Sequence, residues 1–266
     1  MAVDVRVARK LEFRAGTTQL RMGREAVVRG RQQEAMAHFF DDFDADTIPL
    51  STTQGSFWAA ETANGGVTPA IVVGANGLVN IATTANNLDV TEVYGQKIWY
   101  PRQGLTFEAR LNLAAITTIN VAFGLVDEAS KTDDMTAFFV AAGGGPTVKT
   151  GITDAACFVF DTAMTTAKWV AATSIAAAAA QGGTITSAVA PAGGTFETFR
   201  IHIDTLGNAT FWRNGLRERT IAAAVTNTAA LRPYLAVATR TTAAKKIYVD
   251  YVECWQDRRE SSSVLW

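Results

Sequence analysis

From Thr195 to Arg258 the chain alternates apolar and polar side chains with a period of two. Phe199, Ile201 and Ile203 interleave with Arg200, His202 and Asp204. That is the pattern of a strand with one face in a core and one in water. Leu206-Gly207-Asn208 turns the chain into Ala209–Trp212, and Asn214-Gly215 turns it again into Leu216–Ile221. An Asn-Gly pair between strand-like runs predicts a type I′ hairpin, because both central positions need φ > 0. Tyr234–Val237 and Ile247–Trp255 supply two more strands, so this block reads as a five-stranded antiparallel meander. Trp212 and Trp255, each within a strand of that block, are expected as buried anchors.

The same period recurs upstream. Leu105, Phe107, Ala109, Leu111 and Leu113 point one way while Thr106, Glu108, Arg110 and Asn112 point the other. Further strands are predicted at Ser56–Ala60, Ala70–Val73, Leu78–Ala82, Leu88–Tyr94, Lys97–Tyr100, Ile119–Val126, Met135–Ala141, Ala155–Phe160, Lys168–Thr173 and Thr184–Val189. Asn76-Gly77 is a second hairpin candidate. More than ten short strands joined by turns predict a β-sandwich or barrel. Before residue 39 the pattern changes. Val3, Val5 and Val7 alternate, Leu11 and Phe13 flank Glu12, and residues 17–37 are polar, with a helix expected around Gln32–His38. The reading is an extended arm, 1–38, a globular domain, 39–258, and a short tail, 259–266.

Composition sharpens this division. At 48% apolar and 18% charged, 266 residues can bury a sizeable core. The net charge of −1 gives no general attraction to nucleic acid or acidic membrane. Residues 1–37 nevertheless hold eight Lys/Arg against four Asp/Glu, which leaves the other 229 with 16 basic and 21 acidic side chains. A basic arm on an acidic body suits docking onto a neighbour. The N-terminus has no continuous apolar run, so a secretory leader is not expected, and no run is long enough to span a bilayer as a helix. Cys157 and Cys254 lie in apolar runs and read as free core thiols.

The order of six strings carries a family resemblance: FFDDF at 39–43, WYPRQGLTFEARL at 99–111, INVAFGLVDE at 119–128, DAACFVFDTAMTTAKWVA at 154–171, FETFRIHIDTLGNATFWRNG at 196–215 and LRPYLAVATRTTAAKKIYVDYVECWQDR at 231–258. Together they resemble concanavalin A-like jelly-roll proteins, many of them virion structural proteins of tailed bacteriophages and prophages. The resemblance covers 39–258 and is most specific at its C-terminal block. It implies an all-β, concanavalin A-like jelly-roll sandwich of two antiparallel sheets, with the extended N-terminal arm outside it. It further implies a capsid decoration, cement or head-fibre protein, located in the virion and assembled in the bacterial cytoplasm. Its partners would be the major capsid protein or other virion subunits, and copies of itself. Jelly-roll glucanases resembling this fold carry catalytic carboxylates as Glu-x-Asp-x-x-Glu on one strand face; no such string occurs here.

Candidate chemistry is correspondingly sparse, and no enzyme is expected. Glu108 and Glu253 stand apart in the sequence, and Asp127-Glu128 ends a strand. With only His38 and His202, a site of several histidine ligands is excluded. His202 is expected on the surface, paired with Arg200 and Asp204. No G-x-S-x-G elbow is present, and Gly143-Gly144-Gly145 lacks the G-K-[ST] of a phosphate loop. No cofactor is expected; Ca²⁺ at Asp127, Glu128, Asp133 and Asp134 is the one alternative. Trp58, Trp99, Tyr100, Trp169, Trp212 and Trp255 favour core or sheet packing, with a sugar-stacking platform as the alternative. The loop Trp99, Tyr100, Arg102 is the candidate exposed contact for a ligand or subunit.

The partner-binding expectation falls on Val5, Arg6, Val7, Arg9, Lys10, Leu11, Phe13 and Arg14. Apolar alternation there suits strand addition to a neighbour, and the basic residues suit an acidic capsid surface. Nucleic acid is disfavoured by the modest net charge. The rival reading is a carbohydrate-binding adhesin or lectin-like module for host-surface glycan; a glycoside hydrolase is more remote.

Overall fold

The computed structural model describes residues 36–44, 57–63, 65–72, 77–128, 139–141, 146–148, 152–164, 167–176, 181–184 and 190–257. The arm residues Val5 to Arg14, Asn76, Asp133 and Asp134 lie outside them. Strands in chain order are β1 Met36–Asp41, β2 Ala59–Ala63, β3 Val67–Val72, β4 Leu78–Ala82, β5 Val90–Tyr94 and β6 Leu105–Leu113. Next come β7 Ile119–Val126, β8 Phe139–Ala141, β9 Pro146–Val148, β10 Ala155–Asp161, β11 Val170–Ser174 and β12 Gln181–Thr184. The chain closes with β13 Glu197–Ile203, β14 Ala209–Arg213, β15 Leu216–Ile221, β16 Arg232–Thr239 and β17 Lys246–Asp257.

Two antiparallel sheets face each other. An eight-stranded sheet runs β15-β14-β13-β6-β17-β4-β3, with β1 also on β17; a seven-stranded sheet runs β12-β11-β10-β7-β16-β5-β2. The hairpin β8-β9 stands apart. Alternation decides which side chains enter the space between the sheets. Leu105, Phe107, Ala109 and Leu111 of β6 and Phe199, Ile201 and Ile203 of β13 are all 0% exposed. Phe123 and Phe158 meet them from the second sheet, with ring centroids 4.9 and 5.0 Å from Phe199. Each such ring contributes about 1.5–3 kcal/mol by leaving water.

The predicted hairpin forms: Asn214 and Gly215 have φ of 51° and 81°, both positive as a type I′ turn requires. The C-terminal block, however, is not one meander. β13, β14 and β15 are consecutive neighbours, but β16 pairs β7 and β5 in the opposite sheet, and β17 returns to pair β6, β4 and β1. The ten residues after β15 and six after β16 are long enough to cross between layers, where a tight turn is not.

Upstream, the helix expected to reach His38 is replaced from Met36 onward by β1. Its backbone pairs with Val252 to Asp257, so a ladder overrides the local helical preference. The expected boundary at 38/39 falls inside this strand. Lys97–Tyr100 forms only a single bridge, Trp99 to Leu231, followed by a 3-10 turn at Pro101–Gln103. Cys157 and Cys254 are buried and unlinked. Burial raises both thiol pKa values above the ordinary range.

Candidate functional site

The outward faces of the two sheets differ. On the seven-stranded sheet, register aligns Ala172, Cys157, Gly124, Tyr234 and Tyr94 across β11, β10, β7, β16 and β5. This face is small-residue and closed: Ala122, Cys157, Ala172, Tyr234 and Ala236 are all at most 1% exposed. At one end Glu61 and Glu92 are register partners. Tyr94 donates to Glu61 at 2.7 Å and Tyr234 to Glu92 at 2.8 Å. Burial first, then these carboxylates, hold both phenols protonated, with pKa values above the ordinary tyrosine range.

The eight-stranded sheet presents an open polar and aromatic face. One row reads Phe40, Glu253, Glu108, Arg200, Trp212 and Arg217 across β1, β17, β6, β13, β14 and β15. The next reads His38, Trp255, Thr106, His202, Thr210 and Thr220. Two β-bulges set this order. Strict alternation from Ile247 would send Tyr251, Glu253 and Trp255 into the core with Val249. The register shift between Val249 and Tyr251 reverses the phase, so Val252 and Cys254 point inward and Trp255 outward. A second shift, opposite Phe211/Trp212, puts Arg217 beside Trp212 while Thr220 still faces Thr210.

Expectations for this face therefore change. Trp212 and Trp255 are half-buried surface residues, not core anchors. The buried indoles are Trp58, Trp99 and Trp169, at 0–1% exposure. Trp99 was the first residue of the expected contact loop; burial takes its indole out of reach, while Tyr100 and Arg102 are half-buried, with the Arg102 guanidinium 5.3 Å from the Tyr100 ring.

Glu108 and Glu253, far apart in sequence, are neighbours here. Glu108 accepts from Arg200 Nε at 2.6 Å and from the Tyr251 hydroxyl at 2.8 Å. Burial, then the Glu108 charge and hydrogen bond, raise the Tyr251 pKa above the ordinary range. Glu253 Oε1 lies 2.9 Å from His38 Nε2. Both carboxylates thus tie strands together, an arrangement suited to stiffness. His202 is half-buried, with Nδ1 2.9 Å from Thr106 Oγ1, and Asp204 and Arg200 act on it through their charges. Asp204 accepts from the backbone of Leu206 and Asn208, closing its own turn.

Of the acidic loop considered for calcium, Asp133 and Asp134 lie outside the described residues. Asp127 accepts from the Thr153 backbone at 3.2 Å, and Glu128 pairs with Lys97 at 3.6 Å. Among the described residues no three His, Cys, Asp or Glu side chains gather as a metal site. The signal for the open face was partly present: Trp212 alternates with inward Phe211, so its outward phase was readable. Trp255 could not be placed without the bulge.

No protein-family model matches the chain, and no curated protein matches it. Solved structures do. A protein of unknown function, SO2946 from Shewanella oneidensis MR-1, aligns at a TM-score of 0.58 and 12% identity, over 87% of this chain and 90% of that one. The carbohydrate recognition domain of Emp47p aligns at 0.53 and 7% identity, over 85% and 98%. The catalytic domain of an endo-1,3-β-glucanase (laminarinase) from Thermotoga petrophila RKU-1 aligns at 0.53 and 12%, over 83% and 97%. None of these is named as a virion component. At such identities the likeness speaks to fold, and with the two antiparallel sheets it establishes that this chain has the concanavalin A-like jelly-roll sandwich.

Proposed function

We propose that this protein is a non-catalytic glycan-binding module that seats an oligosaccharide on the outward face of its eight-stranded sheet. The observation that carries this reading is the pair of half-buried indoles, Trp212 and Trp255, held outward on strands of a rigid sandwich. An indole offers a flat apolar surface to the C–H face of a sugar ring and a polar edge to its hydroxyls. Arg200 lies with its guanidinium 5.6 Å from the Trp255 ring, and Thr210, Thr220 and His202 place hydrogen-bonding groups nearby. Three inter-strand steps and one row separate the two tryptophans, roughly 16 Å, a span that several sugar rings would cover. Similar sandwiches named as a carbohydrate recognition domain and a glucanase support the class of ligand, as analogy. The carboxylates on this face are engaged with Arg200, Tyr251 and His38, which supports binding over hydrolysis. Affinity electrophoresis of the full chain through gels containing laminarin, mannan, alginate or pectin tests it. Retardation by at least one polysaccharide, lost in Trp212→Ala/Trp255→Ala, is expected; unretarded migration in all of them contradicts it.

The sequence resemblance to tailed-phage proteins supports a second reading, in which such a module is a head-fibre or decoration protein. The specific observation is the basic arm, with eight Lys/Arg against four Asp/Glu in residues 1–37. Mass spectrometry of purified particles tests it: stoichiometric presence is expected, and absence refutes it.

A further inference from the structure

We infer that the Trp212 end of this face selects an acidic sugar, a uronate-type residue whose ring lies on the indole and whose carboxylate is held by arginine. The inference rests on the glycan-binding reading and narrows its ligand.

The register places Arg200, Trp212 and Arg217 side by side on β13, β14 and β15, so the half-buried indole has an arginine as cross-strand neighbour on each side. The Arg200 guanidinium leans toward β6 and β17, bound to Glu108 and 5.6 Å from the Trp255 ring, which leaves Arg217 as the arginine at the Trp212 end. The β15 bulge produces this: it brings Arg217, not Arg219, opposite Trp212. Arg217 is exposed, and no carboxylate among the described residues forms an ion pair with it. Arg200 directs Nε and Nη2 to the buried Glu108 at 2.6 Å, which fixes its plane. In the adjoining row the Thr210 and Thr220 hydroxyls stand 3.2 Å apart, available to ring hydroxyls.

This arrangement runs against the charge of the molecule. Residues after 37 carry 16 basic and 21 acidic side chains, yet Trp212 has an arginine on each neighbouring strand of this row, and the row's carboxylates, Glu108 and Glu253, lie on β6 and β17 and are engaged with Arg200, Tyr251 and His38. A neutral sugar needs the indole and the hydroxyls; it gains little from the exposed Arg217 guanidinium beside them. A carboxylate fits that fork in a bidentate way. A nucleic acid would also use an indole and arginines, but it needs a basic track along its backbone. The acidic body does not provide one.

Calorimetric titration of the full chain tests this, using three probes: trigalacturonate, a neutral laminari-oligosaccharide of similar length, and a short oligo-dT. Trigalacturonate is expected to bind most tightly and to weaken with added salt. Arg217→Ala, a change at an exposed position, should weaken it about tenfold, as loss of a charged hydrogen bond does, and leave any neutral-sugar binding unchanged. Three results overturn the inference: trigalacturonate binding indifferent to Arg217→Ala, the neutral oligosaccharide binding while trigalacturonate does not, or oligo-dT binding more tightly than either. The second leaves the glycan-binding reading standing. Binding of no sugar, in solution or in the polysaccharide gels, removes both.

Discussion

Replacing single tryptophans should separate the core from the open face. Trp169 is 0% exposed, with ring centroids 4.9 Å from Phe199, 5.4 Å from Phe123 and 5.6 Å from Phe160. Truncating such a side chain costs about 3–5 kcal/mol in lost burial and cavity. One term opposes this. The Trp169 indole N–H is buried with no acceptor, and an orphaned donor costs about 1–3 kcal/mol, a penalty that alanine removes. Trp169→Ala should therefore sit near the lower end, about 3 kcal/mol, a large part of the 5–15 kcal/mol of a typical domain. Trp169→Phe keeps most ring contacts and discards the orphan, so it should cost within about 1 kcal/mol by the same terms. Trp212→Ala leaves no cavity between the sheets and should cost less than about 1 kcal/mol. Trp255→Ala should add only the loss of its contact with Arg200, about 0.5–1 kcal/mol. Urea unfolding followed by far-UV circular dichroism measures all four. If Trp212→Ala or Trp255→Ala destabilises as much as Trp169→Ala, those indoles are core and the open face does not exist.

Three further outcomes are expected. Burial lowers the His202 pKa below 6.5, with Asp204 raising it and Arg200 lowering it. The unfolded chain thus takes up that proton first, so stability is full above pH 6.5 and falls as pH drops below it; His202→Gln should flatten this slope in urea titrations at pH 7 and below, and an unchanged slope would assign it elsewhere. Glu108→Gln removes the counter-charge of Arg200, a side chain 31% exposed, and after screening should cost about 1–2 kcal/mol; reducing-end assays with β-glucans should stay at background before and after the change, and turnover abolished by it would make the protein a hydrolase. Deleting residues 1–41 removes β1, the His38–Glu253 contact and the bond from Trp58 Nε1 to Asp41 at 2.7 Å; it should lower the thermal midpoint well below that of a 1–35 deletion, and equal midpoints would show that β1 contributes nothing.

Much of the sandwich was legible because its strands alternate cleanly. The inward set Leu105 to Leu113 and the turn at Asn214-Gly215 are local facts, set by side-chain phase and backbone φ. The open face was not legible, because it depends on register between distant strands and on two extra residues. Glu108 and Glu253 are 145 positions apart, and only the β6–β17 ladder makes them neighbours. One bulge in β17 reverses the phase of everything after it, and strict alternation from Ile247 puts Trp255 on the wrong side. Trp212 was misplaced for a different reason. Its phase was readable from Phe211, but an indole in a strand suggests a core by its hydrophobicity alone. Arg217 and Trp212 share a row because of a bulge that no local turn signal announces.

The central claim is that the outward face of the eight-stranded sheet binds glycan through Trp212 and Trp255. The most direct measurement is the dissociation constant of the full chain for an oligosaccharide retained in the polysaccharide gels, compared with that of the Trp212→Ala/Trp255→Ala variant at matched thermal stability. The account predicts measurable binding by the natural sequence and a loss of at least tenfold in the variant, with its melting nearly unchanged. Equal affinity in the two proteins would contradict it and move any sugar site away from this face.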